Sequence, residues 1–256
     1  ATPPVLERNP FLTELEPGDF EAVISPRVFS QGGFTDFAFT ARGGVLDVAP
    51  GLRIAPVPAK FLPTMGATLR PSGASLAEVL RTGPSTRPVG EPVDIDLEVD
   101  LSAIPQFDLE LPEGTAPDLQ QENAFLRIGA GTRFDLPLGS SLDLASNRQL
   151  VVRGSVSAPS GAITASLRSA DRNAVLSPLP YTGNQALWLD QGAVLDVGGR
   201  AVTFPNDLGL SIGEVTPGGR IALRAEQGAI VGAEGSALLA DGASASLSRL
   251  VGRGNR

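Results

Sequence analysis

Residues 192–197 read Gly-Ala-Val-Leu-Asp-Val, and close copies of this apolar–Asp–apolar phrase recur along the chain. The copies are Gly-Gly-Val-Leu-Asp-Val at 43–48, Gly-Thr-Arg-Phe-Asp-Leu at 131–136, Gly-Ser-Ser-Leu-Asp-Leu at 139–144, Gly-Ser-Ala-Leu-Leu-Ala at 235–240 and the looser Gly-Arg-Ile-Ala-Leu at 219–223. A unit this short cannot bury its own apolar side chains, but similar units stacked in register can. The recurrence therefore predicts a solenoid of parallel strands.

Short apolar segments separated by Gly, Ser, Asn and Pro turns continue through the second half of the chain. Three such segments per coil of about twenty residues favour a β-helix over a flat sandwich. We expect strands at 125–128, 132–136, 141–144, 149–152, 162–167, 186–189, 193–197, 201–204, 220–223, 229–231 and 237–240. Phe34, Phe37 and Phe39 are expected to fill the interior. The irregular turns, of which 168–184 is the largest, are expected to project from one side.

A Pro-rich stretch interrupts the pattern, because prolines recur too often between Pro56 and Pro117 for a central strand. We therefore predict three parts: residues 1–56 as a lead-in with the first coils, residues 57–123 as an acidic extra-helical subdomain, and residues 124–256 as further coils. Within the subdomain, residues 93–101 read Val-Asp-Ile-Asp-Leu-Glu-Val-Asp-Leu. This strict alternation is the clearest strand signal in the chain.

The composition narrows the classes of function. The chain has 28 acidic and 20 basic residues, so it lacks the basic character that DNA or RNA binding needs. It has no Cys, which excludes disulfides and Cys-based zinc sites, and no His, which removes the usual general base. No apolar run approaches the ~20 residues that span a bilayer. The N-terminus has no apolar leader core, so no signal peptide is expected.

Several phrases resemble the large exoproteins of Gram-negative bacteria related to filamentous haemagglutinin. The similarity is carried by Gln-Gly-Gly-Phe-Thr-Asp-Phe-Ala-Phe at 31–39, Gly-Ser-Val-Ser-Ala-Pro-Ser-Gly-Ala-Ile-Thr at 154–164, Leu-Trp-Leu-Asp-Gln-Gly-Ala-Val-Leu-Asp-Val-Gly-Gly at 187–199 and Gly-Gly-Arg-Ile-Ala-Leu-Arg-Ala-Glu-Gln-Gly-Ala-Ile-Val at 218–231. It covers residues 31–56 and 124–250. Residues 57–123 match only as an acidic, Pro-rich interruption.

The resemblance implies an all-β, right-handed parallel β-helix that is secreted through a dedicated outer-membrane partner (two-partner secretion). It also implies work as an adhesin or surface fibre on a Gram-negative bacterium. The secretion domain of this family carries paired Asn-Pro motifs. Here only Asn9-Pro10 is present, in different surroundings, so we expect an internal segment of the exoprotein.

The acidic strand admits two interpretations. Asp94, Asp96, Glu98 and Asp100 share one face and could hold a hard cation such as Ca²⁺, which prefers several carboxylate oxygens. Such sites usually need a tight loop that converges the ligands, and none is present in the sequence. The preferred interpretation is a solvated face whose charges keep an edge strand from pairing with another chain.

The repeated phrase places acidic residues at one local position, namely Asp47, Asp135, Asp143 and Asp196. Paired carboxylates could hydrolyse a polysaccharide. Repetition at a structural position instead favours outward-pointing side chains that support the coils.

Other side chains could bind a sugar. Arg200, Arg220 and Arg224 could bind an acidic sugar but are more typical of a solvated face. Trp188 and Tyr181 could form a stacking platform, although a single Trp between two Leu residues is more typical of a partly buried anchor at a coil end.

These observations favour a non-enzymatic structural and adhesive segment: a rigid shaft that presents loops to a glycan or protein receptor, with no catalytic, metal or cofactor residue assigned. The alternative is a polysaccharide-active or carbohydrate-binding protein of the same fold. Uncapped ends of a β-helix expose apolar side chains and strand edges. We therefore expect end-to-end self-association unless residues 1–30 or the C-terminal tail cover the openings.

Overall fold

The computed structural model describes residues 23–30, 33–42, 44–63, 80–84, 91–100, 125–168 and 185–248. Within these ranges the protein is all-β, with one short 3₁₀ turn at Pro26–Phe29. The expected all-β class is therefore confirmed.

The strands follow one another in a regular cycle. In chain order they are β1 (Asp36–Arg42), β2 (Val45–Val48), β3 (Arg53–Ile54), β4 (Ala59–Pro63), β5 (Leu80–Pro84), β6 (Asp94–Asp100), β7 (Phe125–Ile128), β8 (Arg133–Asp135), β9 (Ser141–Ser146), β10 (Gln149–Val152), β11 (Ser155–Ser157), β12 (Ala162–Leu167), β13 (Ala186–Leu189), β14 (Val194–Asp196), β15 (Ala201–Pro205), β16 (Ser211–Val215), β17 (Arg220–Ala225), β18 (Ala229–Gly232) and β19 (Ala237–Leu239).

Three parallel sheets are built from these strands in the described part of the chain. Sheet A has the order β1-β6-β9-β12-β17, sheet B the order β2-β7-β10-β13-β18, and sheet C the order β3-β8-β11-β14-β19. The chain visits A, B and C in turn, so that β1–β3, β6–β8, β9–β11, β12–β14 and β17–β19 form repeats 1 to 5. Stacked parallel sheets of this kind are compatible with a β-helix.

The core consists of columns of apolar side chains that run across the repeats. In-register pairing places each inward side chain directly over its counterpart in the next strand. Four columns are Phe37-Ile95-Leu142-Ile163-Ile221, Phe39-Leu97-Leu144-Ala165-Leu223, Leu46-Leu126-Leu150-Leu187-Ile230 and Ile54-Phe134-Val156-Leu195-Leu238. Side chains in the middle of each column are almost completely buried. Each such burial stabilises the fold by about 1.5–3 kcal/mol.

A glycine turn connects sheet B to sheet C in four of the five described repeats. Gly51, Gly131, Gly192 and Gly235 occupy equivalent positions with φ of 73°, 73°, 77° and 83°. An L-amino acid with a side chain is strained in this left-handed region, so the turn selects glycine. Three of these glycines open copies of the repeated phrase, which explains why the phrase begins as it does.

We predict that Gly192→Ala lowers the free energy of unfolding by about 1 kcal/mol, because the new methyl group has room but the backbone is left-handed. Gly44→Ala is the matched control, since a Cβ there also meets nothing within 4 Å and its φ is not in the left-handed region. Urea unfolding of both variants measures the difference. Equal stability of the two would contradict the assignment of the turn.

The acidic strand requires a correction. It was expected in the extra-helical subdomain and as an edge strand, but β6 lies between β1 and β9 inside sheet A. Val93, Ile95, Leu97 and Val99 are buried in the core, which is why apolar and acidic residues alternate so strictly. The account based on protection of an edge is therefore wrong. Of the remaining subdomain residues, β4 and β5 form an antiparallel hairpin outside the three sheets, and 101–123 lie outside the described residues.

Three further expectations differ from the structure. The segment at 201–204 was expected to be a coil strand, but β15 pairs with β16 as an antiparallel hairpin. Phe34 is 60% exposed, whereas Phe37 and Phe39 do contribute to the core. Copies of the repeated phrase fall on all three sheets, at β2, β8, β9, β14, β17 and β19, so they do not form one stacked series.

Candidate functional site

Insertions concentrate at the two corners that border sheet A. Residues 101–124 and 169–184 separate sheet A strands from sheet B strands in repeats 2 and 4. Residues 55–93 and 197–219, which contain the β4–β5 and β15–β16 hairpins, separate sheet C strands from sheet A strands. The described turns from sheet B to sheet C are only two to four residues long. The outer surface of sheet A is therefore the candidate site.

This surface, called the A face below, carries a gradient of charge across the repeats. Its first two strands contribute exposed or half-exposed Asp36, Asp94, Asp96, Glu98 and Asp100. Asp143 follows on β9, the middle of the face carries Ser141, Thr164 and Ser166, and the last strand contributes Arg220 and Arg224. A ligand lying across the strands would meet carboxylates at one end and guanidinium groups at the other.

The acidic half of the A face places like charges next to each other. Asp36 pairs in register with Asp94, and Asp96 pairs in register with Asp143. Hydroxyl groups partly offset the repulsion, since Ser141 Oγ donates to Asp94 at 2.5 Å and Thr35 Oγ1 donates to Asp36 at 2.7 Å. The four carboxylates line a shallow depression of about 250 Å³.

Partial burial raises the pKa of Asp96 above its ordinary value, and the neighbouring Asp143 carboxylate raises it further. Arg168 opposes both effects. The Arg168 guanidinium itself bonds the carboxylate of Glu98, which lies two repeats away. Ala145 lies between Glu98 and Ser166 in register and is buried, so its small side chain gives the ion pair room to cross repeat 3.

The cation interpretation gains no support from the described residues. Among them, no group of three or more acidic side chains is arranged to hold a metal ion. The carboxylates on β6 are distributed along the strand and do not converge on one point.

The aspartates of the repeated phrase point outward, as expected, but they are not brought together. Asp47 forms an ion pair with Arg127, and Asp135 forms one with Arg53 at 2.7 Å. Asp196 accepts a hydrogen bond from the Gly198 backbone N–H at 2.8 Å. These contacts join adjacent repeats or close a local turn. Exposed ion pairs contribute about 0–1 kcal/mol each.

The remaining sugar-binding candidates are dispersed. Trp188 lies on the outer surface of sheet B, where it is 40% exposed and paired in register with Val151 and Val231. Leu187 and Leu189 on either side of it are buried, so Trp188 points outward from β13, which lies between β10 and β18. Arg200 lies 3.8 Å from Asp196, and Tyr181 lies outside the described residues.

Comparison with known proteins gives no indication of the function. No family model, curated protein or solved structure matches the chain. Among the described residues, no helix is long and apolar enough to cross a bilayer.

We predict that Asp96→Asn stabilises the protein by about 0.5 kcal/mol at pH 7, because it removes a partly buried charge and, with it, a like-charge pair across neighbouring strands. A carboxyl whose pKa is raised by folding binds more protons in the native state, so its contribution to stability falls as pH rises through the raised pKa. The gain should therefore disappear below the ordinary value of 3.8. Thermal unfolding at pH 7 and pH 3 measures it.

Two variants control this experiment. Asp143→Asn removes the other charge of the pair, and combining it with Asp96→Asn should give less than the sum of the two gains. Asp207→Asn changes an exposed carboxylate in the β15–β16 turn and should have no effect. An equal gain from Asp96→Asn at both pH values would contradict the like-charge explanation.

Proposed function

We propose that the chain is a right-handed parallel β-helix and a non-enzymatic structural and adhesive segment of a secreted bacterial exoprotein. Its similarity to filamentous haemagglutinin-like sequences suggests export by an outer-membrane partner to the surface of a Gram-negative bacterium. The partner is a glycan or protein on a host cell or on another bacterium. Five stacked repeats within the described residues support the structural part of this proposal, since such stacks are suited to extended surfaces.

The single observation that carries the adhesive part is the position of the insertions. Every link longer than four residues between successive strands of the three sheets begins or ends at sheet A, while the apolar columns continue in register across the repeats. Variable connections on a rigid scaffold are where binding residues are most often found. The A face and its bordering insertions together form the recognition surface.

The chemistry of the A face indicates a polar receptor. Its outward side chains are carboxylates, hydroxyls and guanidinium groups. Recognition would depend on hydrogen bonds and charge, as suits a glycan or a charged protein surface. Binding to such a face should weaken with salt, because exposed charges are screened within about 10 Å at 0.1 M ionic strength.

Two loop deletions test the proposal, and the register of the repeats defines both. In repeat 3, Asn147 and Arg148 alone link β9 to β10, so deleting 169–184 to join Arg168 to Gln185 gives repeat 4 a link of the same length. Pro159 and Ser160 link equivalent positions between repeats 3 and 4, so Pro-Ser can replace residues 198–218. We predict that both variants fold, because the apolar columns are retained.

On a glycan array and on immobilised cell-surface proteins, the wild-type chain should show a ligand that at least one deletion variant binds about tenfold more weakly or worse. Trp188→Gln, on sheet B, is the matched control and should bind normally. Loss of binding in this control alone would favour a carbohydrate-binding platform on sheet B. Absence of any ligand for the wild-type chain, or full binding by both folded deletion variants, would contradict the proposal.

One observation favours a polysaccharide-active enzyme as a second candidate. Asp96 and Asp143 are neighbours across parallel strands, which lie about 4.8 Å apart, and the pKa of Asp96 is raised. Glycosidases use two carboxyl groups at short range, one of which has a raised pKa. We predict no release of reducing ends from neutral or acidic polysaccharides. Release that is abolished by both Asp96→Asn and Asp143→Asn would establish the enzyme instead.

A further inference from the structure

Arg133 on β8 differs from most outward arginines of the stack, because it has no carboxylate partner. In the described residues, ion pairs between repeats join Arg127 to Asp47, Arg153 to Asp190, Arg168 to Glu98 and Arg53 to Asp135. The Arg133 side chain is exposed, and none of the described carboxylates bonds it. A guanidinium group in the second repeat of the stack is therefore left to solvent.

The neighbours of Arg133 on the outer surface of sheet C, called the C face below, add a second cation. Arg53 pairs in register with Arg133 from β3, and Ser155 pairs with it from β11. Neighbouring strands lie about 4.8 Å apart, and like charges directly opposite each other destabilise a sheet. Asp135, the acidic residue of β8, already accepts a bond from Arg53 Nε at 2.7 Å. Two guanidinium groups thus share a single carboxylate.

Hydrogen-bond donors outnumber acceptors at this place on the C face. Arg53 is fastened through Nε, so its two terminal amino groups keep their protons for another acceptor, and its side chain is 73% exposed. Arg133 contributes a complete guanidinium group, and no bond joins the Ser155 hydroxyl to another described residue. The planar fork of a guanidinium group matches the oxygens of a phosphate, and a hydroxyl can donate to a further oxygen.

We propose that Arg53, Arg133 and Ser155 form a binding site for a phosphate monoester, the group found on phosphorylated sugars and on some lipid headgroups. Such a group carries a charge of about −1.5 to −2 at pH 7, which offsets the two adjacent cations. A sulfate ester carries a single charge and offsets them less. The acidic strand β6 belongs to sheet A, so its carboxylates do not share this surface. The site does not depend on which receptor the A face binds.

Titration of the ¹⁵N-labelled chain, followed by the NMR signals of the arginine Nε–H groups, tests the site directly. Inorganic phosphate and glucose 6-phosphate should shift the signals of Arg53 and Arg133 in a saturable way, and glucose 6-sulfate should bind about threefold more weakly. Vesicles containing phosphatidic acid distinguish the source: binding to them would include lipid headgroups, and binding of the sugar phosphate without them would assign the site to saccharides. No saturable shift with either phosphate, or equal affinity for the sulfate, would overturn the proposal.

Variants separate a specific site from general attraction to positive charge. Arg133→Gln should weaken binding of glucose 6-phosphate by about tenfold, because it removes charged hydrogen bonds. Arg133→Lys keeps the charge without the fork and should weaken binding by about threefold. Asp135→Asn should tighten it, because it removes the competing carboxylate.

Two matched variants serve as controls for charge. Arg220→Gln removes an exposed arginine that likewise begins its strand, and Asp196→Asn removes a carboxylate from the same sheet as Asp135. Neither should change the affinity by more than about twofold, because surface charges more than about 10 Å away are largely screened at 0.1 M ionic strength. A loss of binding in Arg220→Gln as large as that in Arg133→Gln would overturn the proposal.

Discussion

Register between successive repeats is the constraint on which the rest of the structure depends. A strand of two to seven residues has too little apolar surface to be stable alone, and only superposition on its neighbours keeps that surface from water. A shift by one residue would turn Leu150 outward and Val151 inward, and the same would happen to every strand that follows. The glycine turns and the in-register columns therefore support each other, because both determine which side chains of the next strand point inward.

The same constraint determines which links between strands can vary in length and which cannot. At the turn between sheets B and C, the described repeats allow almost no change in length. At the corners beside sheet A, 24 residues separate β6 from β7 and 18 separate β12 from β13, yet Phe125 and Ala186 both stand in register with the neighbouring repeat. The entropic cost of closing a loop rises only slowly with its length, so long links are tolerated where no other element must pack. The links that differ most in length therefore all begin or end at sheet A.

Much of the fold could be predicted from the sequence, but the sheet to which each copy of the repeated phrase belongs could not. Strands such as Gln149–Val152 and Ala162–Leu167 were located because apolar residues alternate with polar ones between turn residues. Leu-Asp-Val can occupy any of the three sheets, since each needs the same pattern of one inward and one outward side chain, so the phrase does not reveal its sheet. The acidic strand was misplaced because its nearby prolines suggested an excursion, although its apolar half belonged to the core.

The candidate site could be predicted only in part. The outward orientation of the aspartates can be predicted because each lies between apolar residues. The residues with which they form ion pairs cannot be predicted in this way. The ion pair between Glu98 and Arg168 joins residues 70 positions apart, and it depends on two strands being separated by one other strand. Each repeat contributes one strand to each of the three sheets, and this arrangement also has a mechanical consequence. A pull along the stack loads the interfaces between successive repeats in series, so the weakest interface would yield first and the repeats would separate stepwise. Release of repeat 3, which has 21 residues from Ser141 to Gly161, would add roughly 70 Å of chain at ~3.3 Å per residue, and repeats with longer links would add more.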